Sequence, residues 1–389
     1  MKKSIIALLM IASSLNTISG YFKIVGFTAL CILLLLSFFE FVVYLVIKQT
    51  LPRMLLPILS TLATFISIYL AGLLNFKLNI QDWIAVAKLL LIIIFFLSMS
   101  LKAWSSKDIK LFAIVSALFI TINTLWWIAS GGSYILFQGY FDNPNTLGSY
   151  VYLLLFFPLA RSLEISRFRY KILWFSIIII GFFVLLSTNS RSSLLALIFT
   201  VLGYLLWNKI TKTKWTYYLT LPVFVCFLTV ALHIYLRLYN SPDSIAYNSF
   251  VYEHTGKNLF NGRTTLWLQL IDAISFKPLY GYGPATLPID LVNIDLSAHN
   301  FYLQLLIQVG ILGFLNFIII VGMIWHILWI GRDNSIVHLA GAFLLGILVH
   351  QMFEVSLTQN NLSVGLLQWL IISIGVSRSL AIRHYSSNC

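Results

Sequence analysis

The chain has 389 residues, of which 60% are hydrophobic and only 10% are charged, and its net charge is +13. Soluble domains carry roughly 25% charged residues, so this much apolar surface cannot be buried in one soluble core and must be solvated by lipid. The positive charge therefore reports on membrane topology and not on a nucleic-acid partner.

Apolar runs of about 20 residues recur along the whole chain, which is the length that crosses a hydrocarbon core of roughly 30 Å. Such runs favour helices, because a helix satisfies its own backbone hydrogen bonds. The alternating segments of about ten residues that a closed barrel requires do not occur. The sequence predicts an all-α integral membrane protein of about twelve transmembrane helices, at roughly residues 4–20, 24–47, 53–73, 82–103, 109–130, 147–164, 171–187, 192–208, 216–236, 307–330, 337–354 and 362–381.

The first run follows Lys2 and Lys3, as the apolar part of a signal peptide would. It ends in NTISG (16–20), which is a poor cleavage site, so we expect the run to be retained.

Most of the 25 Lys and Arg residues fall in segments that face the cytoplasm when the N-terminus is placed there. This bias predicts an even number of spans with both termini inside.

Two outward-facing segments are longer than the other connections, at residues 131–146 and 237–306. Long ordered loops tend to carry function. Within the second segment, residues 264–276 place apolar side chains at helical spacing, which predicts a helix lying on the membrane surface. The three cysteines are scattered and predict neither a disulfide framework nor a metal site.

Two arginines of the outward segments are candidate anion-binding residues. Arg191 lies in a polar turn, TNSRSS (188–193), whose hydroxyl and amide groups could complete a phosphate site. Arg263 lies at the start of the predicted surface helix, where backbone N–H groups and the helix dipole favour an anion. The alternatives are an arginine that extends to the membrane interface for Arg191 and a solvated loop arginine for Arg263.

His299 lies where the long loop re-enters the membrane and is a candidate general base, although a lone histidine is more often structural. His350 and Glu354 are four residues apart at the outer end of the eleventh predicted span, so we expect them to share a helix face. Ionisable groups in membrane spans are functional candidates, and the alternative for this pair is an interhelical hydrogen bond.

With these residues in view, the chain resembles the O-antigen ligase and O-antigen polymerase family of bacterial membrane glycosyltransferases. The likeness covers roughly residues 140–375, and it divides the chain into N-terminal transmembrane helices (1–130) and a ligase/polymerase-like membrane domain (131–389). Its motifs, in order, are NPNTLG (143–148), TNSRSS (188–193), GRTTLW (262–267) with PLYGYG (278–283), and HNFYL (299–303) with VGILG (309–313).

The resemblance implies a GT-C-like fold in the bacterial inner membrane with its active site facing the periplasm. It implies a glycan donor on undecaprenyl diphosphate, with Arg191 and Arg263 holding the diphosphate and His299 acting as catalytic base in an inverting transfer without metal or other cofactor. The supporting residues would be Asn145, Asn300, Tyr302, His350 and Glu354.

The resemblance leaves the acceptor open. A ligase transfers the finished polysaccharide to lipid A-core, whereas a polymerase transfers the growing chain to the next lipid-linked repeat unit. The moderate length of the loop at residues 237–306 and the short aromatic outer segments favour the polymerase slightly. A chain-length regulator protein would then be a further partner.

Two other classes compete with the glycosyltransferase. Twelve spans with both termini inside are common in transporters and flippases, but no two-fold repeat is evident and the polar residues gather at the outer face instead of the midplane. A structural membrane protein would not need Arg191, Arg263 and His299 on one side.

Overall fold

The computed structural model describes residues 2–48, 51–74, 80–132, 136–256, 258–260, 262–292, 294–358 and 361–386. Within them the chain forms helices and no strands, which confirms the all-α prediction. Residues 133–135, 257, 261 and 293 of the two outward segments lie outside the described residues. In chain order the helices are α1 (Lys3–Ser14), α2 (Tyr21–Lys48), α3 (Leu56–Leu74), α4 (Ile80–Ser100), α5 (Ser106–Ala129), α6 (Pro144–Leu154), α7 (Phe156–Glu164), α8 (Phe168–Thr188), α9 (Arg191–Ile210), α10 (Lys214–Tyr239), α11 (Ser244–Thr255), α12 (Gly262–Phe276), α13 (Ile289–Val292), α14 (Phe301–Ile330), α15 (Ser335–His350) and α16 (Leu362–Ser386).

The predicted spans coincide with helices. Ten described helical segments are long and apolar enough to cross a membrane. Two shorter apolar helices, Lys3–Thr17 and Ser335–His350, occupy the positions of the first and eleventh predicted spans. The sixth span is divided into α6 and α7 because Pro158 has no N–H to donate to the carbonyl of Leu154, at which α6 ends.

The centre of the bundle is α15, which packs between α9 and α16 and is fully buried from residue 339 to residue 350. Small residues permit this close approach: a side chain at Gly346 would collide with the hydroxyls of Thr200 and Tyr152. Helices α2 and α10 lie at the periphery instead, and few of their apolar side chains are buried. These side chains supply the surface that lipid must cover.

Helix α14 is broken at Gly310, whose φ of 61° and ψ of −166° are accessible only to glycine. The PLYGYG segment (278–283) fills the break and replaces the lost helical hydrogen bonds. Tyr282 N donates to Ile307 O at 2.7 Å, and Ile311 N donates to Pro278 O at 2.8 Å. The break satisfies its backbone groups in this way at membrane depth, which is the condition under which a spanning helix tolerates an interruption.

The two ends of the bundle carry different residues. One end, here called the basic end, holds the ion pairs of Lys3, Lys102, Arg161 and Arg378. The opposite end, here called the site end, holds Arg191, Arg263 and His299. The start of α1 and the end of α16 both lie near the basic end. The first and the last described helix therefore have their chain ends on the same side, as an even number of spans requires.

Candidate active site

The turn that carries Arg191 is shaped by its backbone and by a neighbouring glycine. Asn189 caps α8 with a φ of 50°, a left-handed conformation that asparagine tolerates better than most residues. Gly148 of α6 packs so closely that a Cβ there would lie 2.6 Å from the Cβ of Ser190. The sequence motifs to which these residues belong are therefore in direct contact.

The hydroxyl groups of this turn hold the turn together. Ser190 N donates to Thr188 Oγ1 at 3.2 Å, and Ser190 Oγ donates to Ser193 Oγ at 3.0 Å. All three residues are fully buried. These hydroxyls make hydrogen bonds within the turn, where the Arg191 side chain carries the positive charge.

The Arg191 side chain extends from the N-terminus of α9 to the second outward segment. Its Nη1 donates to the backbone carbonyl of Asn258 at 3.2 Å, and the residue is exposed. A carbonyl is neutral, so this bond orients the guanidinium group without cancelling its charge. The N-terminal end of the α9 dipole adds to the positive potential.

Tyr235, near the end of α10, connects the surroundings of the two arginines. Its hydroxyl donates to Leu259 O at 3.0 Å and lies 3.0 Å from Thr264 Oγ1. Leu259 follows the residue that Arg191 contacts, and Thr264 follows Arg263. Both guanidinium groups lie close enough to Tyr235 to interact with it electrostatically. The arginines come from helices about 70 residues apart in sequence but share one neighbour.

Arg263 lies in the first turn of α12 and is half-buried. Its Nη1 is 3.5 Å from the backbone carbonyl of Phe353, the residue before Glu354. It also interacts electrostatically with the Glu354 carboxylate. Arg263 is therefore placed between the Arg191 side of the site and the segment that faces His299.

The predicted helix at residues 264–276 is present, but its apolar face packs on protein. Leu266, Trp267 and Leu270 are buried, and α12 packs against α14. Trp267 Nε1 donates to Ala298 O at 2.7 Å, directly before His299. The expectation that this face lies on the membrane surface is wrong, because α14 covers it, and the contact fixes α12 relative to the histidine.

His299 precedes α14 with a φ of 47°, a left-handed conformation that is uncommon for residues other than glycine. Its ring Nδ1 lies 3.7 Å from Glu354 Oε2, in the range of an ion pair and slightly longer than a hydrogen bond. Strained backbone of this kind is concentrated at functional sites, where the surrounding structure enforces it. Here the cap of α14 and the hydrogen bond of Phe301 N to Gln351 O, at 2.8 Å, enforce it.

Glu354 is held in its ionised form. Burial raises the pKa of its carboxyl group, but the neighbouring His299, His350 and Arg263 together outweigh burial and lower the pKa below its ordinary value. An ionised carboxylate at this position favours the tautomer of His299 that carries its proton on Nδ1. The Nε2 atom of the same ring is then the basic nitrogen.

Helix α15 ends at His350, and in the turn that follows Glu354 N still donates to His350 O at 3.1 Å. The two side chains remain close enough to interact electrostatically, but they have different partners. His350 is buried, and its Nε2 lies 2.9 Å from Ser149 Oγ. Ser149 donates its own proton to Asn145 O at 2.8 Å, so the histidine donates to the serine. His350 therefore makes an interhelical hydrogen bond, as the alternative interpretation held, while Glu354 faces His299.

The other supporting residues position the backbone around the site. The side chain of Asn300 caps α14 by accepting from the N–H groups of Tyr302 and Leu303 at 3.0 and 3.1 Å. The Tyr302 hydroxyl donates to Leu348 O at 2.7 Å and ties α14 to α15. Asn145 lies in the first turn of α6 and accepts the Ser149 hydrogen bond described above. None of these contacts is made by a charged group.

The structure thus links Arg191, Arg263 and His299 through Tyr235 and Glu354. Among the described residues, no group of three His, Cys, Asp or Glu side chains could hold a metal ion. Sequence reasoning missed Tyr235. Its only sequence signal is a tyrosine at the end of a span, which is the ordinary place for an interfacial aromatic residue.

Comparison with known proteins supports the same region. Residues 176–318 match the family model described as O-antigen ligase. The matched segment contains Arg191, Arg263 and His299, whereas Glu354 lies beyond it. The predicted resemblance is confirmed, and with the membrane helices it indicates a membrane enzyme of surface-polysaccharide synthesis of the O-antigen ligase or polymerase type. No curated protein sequence matches the chain.

Proposed function

We propose that this protein is an inverting glycosyltransferase that moves a glycan from undecaprenyl diphosphate to an acceptor hydroxyl, without a metal ion. One observation carries the proposal. Arg191 and Arg263 belong to two separate helices and His299 precedes a third, yet contacts through Tyr235 and Glu354 connect them at one end of the bundle. A mobile lipid diphosphate in the adjoining leaflet has direct access to such a site.

Two guanidinium groups suit a diphosphate leaving group. The charge on the departing oxygen grows as the glycosidic bond breaks, and groups already oriented toward it stabilise the transition state without reorganisation. Their bonds to the backbone carbonyls of Asn258 and Phe353 provide this orientation. A single guanidinium group can also donate two parallel hydrogen bonds to two phosphate oxygens, which a lysine ammonium cannot do.

His299 supplies the base. The acceptor oxygen forms a bond to the anomeric carbon, the bond from that carbon to the diphosphate oxygen breaks, and the acceptor proton passes to His299 Nε2. Attack from the face opposite the diphosphate inverts the anomeric carbon. Glu354, 3.7 Å from Nδ1, stabilises the imidazolium ion that forms. The proton then leaves to solvent, and the carrier diphosphate departs.

We place the site at the periplasmic face of the bacterial inner membrane. The charge distribution of the sequence puts the basic end in the cytoplasm. A periplasmic site has no access to ATP or to cytosolic sugar nucleotides, so its donor must be carried by lipid. Of the two acceptors, we favour the next lipid-linked repeat unit, which makes the enzyme a polymerase.

The test uses the full chain in lipid nanodiscs with a purified glycan on undecaprenyl diphosphate and its acceptor, in the presence of EDTA. We expect glycan transfer together with release of undecaprenyl diphosphate. Movement of the lipid-linked glycan across vesicles without transfer would instead identify a flippase. In cells, deletion of a polymerase leaves single repeat units on the core, whereas deletion of a ligase leaves unlinked long chains on the carrier lipid.

A further inference from the structure

A second polar cavity opens at the site end, beside the first part of α14. It has a volume of about 540 Å³ and lies between α3, α4 and residues 282–290. Its polar lining includes Asp82 and Lys88 of α4, Tyr282, Asp290 and Thr358. Its volume is in the range of small-molecule sites, roughly 300–1,000 Å³. Apart from Tyr282, which packs in the α14 break, none of these residues takes part in the contacts described above.

The cavity lies on a different face of α14 from the arginines. Gln304 and Gln308, one helical turn apart, both donate to the carbonyl of Thr286, which lines the cavity. Leu303 instead packs with Trp267 of α12, on the Arg263 side. Only the cap residue Asn300 separates His299 from α14, so contacts of both sites are made by the first part of this helix.

Lys88 distinguishes this cavity from an ordinary surface depression. It lies eight residues into α4, so its Cα is about 12 Å along the helix from the first residue. An ionisable side chain so far inside a membrane-spanning helix is costly unless it faces a polar cavity or a ligand. Here it lines the cavity.

The carboxylates of Asp82 and Asp290 each use one oxygen for a hydrogen bond within the protein. Asp82 Oδ1 accepts from Ala285 N at 3.0 Å, and Asp290 Oδ2 accepts from Leu287 N at 2.8 Å. These bonds hold the loop that forms one wall of the cavity. A carboxylate has two oxygens, so each keeps a second acceptor for a ligand.

We propose that this cavity binds the saccharide of the acceptor, an inference that rests on the proposed function. Carboxylate oxygens accept from sugar hydroxyls, a lysine donates to them, and a tyrosine ring offers an apolar face to the ring carbons. Two carboxylates repel a diphosphate, so the donor's leaving group does not suit this cavity. An inverting transfer requires the acceptor on the side of the reacting carbon opposite the diphosphate, with the base beside the acceptor hydroxyl. A saccharide site on a different face of α14 from the arginines meets the first requirement.

The experiment measures binding and kinetics on the full chain in nanodiscs. The binding probes are the lipid-free oligosaccharide released by mild acid from the bacterium's surface polysaccharide, and undecaprenyl diphosphate without sugar. The test variants are Asp82→Asn and Asp290→Asn, which keep an oxygen for the backbone bond and remove the charge. Asp272→Asn, on the exposed surface of α12 at the same end, is the matched control.

We expect each test variant to weaken oligosaccharide binding about tenfold or more, because a hydrogen bond to a charged group is lost, and to leave undecaprenyl diphosphate binding unchanged. The acceptor KM should rise with the donor KM unaffected. Unchanged oligosaccharide affinity, equal weakening of both probes, or a rise in the donor KM alone would overturn the assignment. If the wild-type chain binds the oligosaccharide in an Asp82-dependent way but transfers nothing, the saccharide site stands and the proposed glycosyl transfer fails.

Discussion

The basic end and the site end of the bundle both concentrate positive side chains, but they hold them differently. At the basic end, carboxylates neutralise them: Lys102 lies 2.6 Å from Glu40, and Arg378 lies 3.1 Å from Glu164. At the site end, Arg191 and Arg263 donate to backbone carbonyls. A carboxylate offsets positive charge and fixes helices together, whereas a bond to a neutral carbonyl orients a guanidinium group without itself offsetting the charge.

The site end also contains a carboxylate, but it has a different partner. Glu354 faces His299 at 3.7 Å, with Arg263 as a neighbour. The basic end uses its acidic residues as counterions of arginine and lysine, and the site end uses one to orient an imidazole. If this contrast is functional, substitutions at the two ends should separate activity from stability.

The largest expected effect comes from His299. We expect His299→Ala to lower the rate of transfer by about 10²–10⁴, because a general base typically contributes that much. The measurement is the initial rate of glycan transfer in nanodiscs, with thermal stability as a check on folding. His254→Ala, on the exposed side of α11, is the control and should retain activity. Normal long-chain polysaccharide in cells that carry His299→Ala would remove the histidine from its proposed role.

Lysine substitution at the arginines should have the next largest effect. Arg191→Lys and Arg263→Lys keep the charge but lose paired contact with phosphate oxygens, so we expect transfer to fall by about 10–100-fold. Arg378→Lys makes the same exchange at the basic end, where a single charge opposite Glu164 suffices. Its transfer rate should stay within about twofold of wild type. Equal losses at both ends would contradict the distinction between them.

Glu354→Gln should lower transfer less, by about tenfold, because His299 keeps its ring but loses its orienting charge. We also expect an altered response to acid. The pKa of Glu354 is lowered in the folded protein, so its ionised form stabilises the fold above the ordinary carboxyl pKa of 4.5, and this contribution is lost as the pH falls through the lowered value. Thermal midpoints measured from pH 7 to pH 3 should fall less steeply in the variant than in wild type. Parallel curves would show that Glu354 is not coupled to its neighbours as proposed.

The smallest effect on activity is expected for Glu164→Gln at the basic end. Glu164 pairs with both Arg161, at 3.5 Å, and Arg378, at 3.1 Å, so its loss leaves two guanidinium groups without their shared counterion. We expect the thermal midpoint to fall by a few degrees at an almost unchanged transfer rate, since the carboxylate's role there is structural. A large loss of transfer without a loss of stability would mean that the basic end takes part in the reaction.

The spans could be predicted from the sequence because bilayer thickness and backbone hydrogen bonding leave few choices for an apolar run of 20 residues. Their ends were harder to place. The eleventh span was extended to residue 354, although α15 ends at His350 and the turn after it aims Glu354 at His299. Hydropathy does not register such a turn, because Met352 and Phe353 within it continue the apolar run.

The two arginines and the histidine could be selected from residue type and the order of motifs, but their convergence could not. It depends on Tyr235, on the contact of Trp267 with Ala298, and on the break at Gly310 that accepts the PLYGYG segment. Each is a contact between residues distant in sequence. The cavity lined by Asp82 and Lys88 was likewise not predicted, because its walls come from four parts of the chain.

The sequence by itself therefore determined that the protein is helical, that it lies in a membrane, and which positive residues are candidates for function, because these properties follow from local composition and length. Only the tertiary structure decided which of those residues meet, which hydroxyls are consumed inside a turn, and which carboxylate serves an imidazole and which an arginine. These outcomes depend on side chains brought together by helix packing, and the pattern of a single segment carries no information about the segment it packs against.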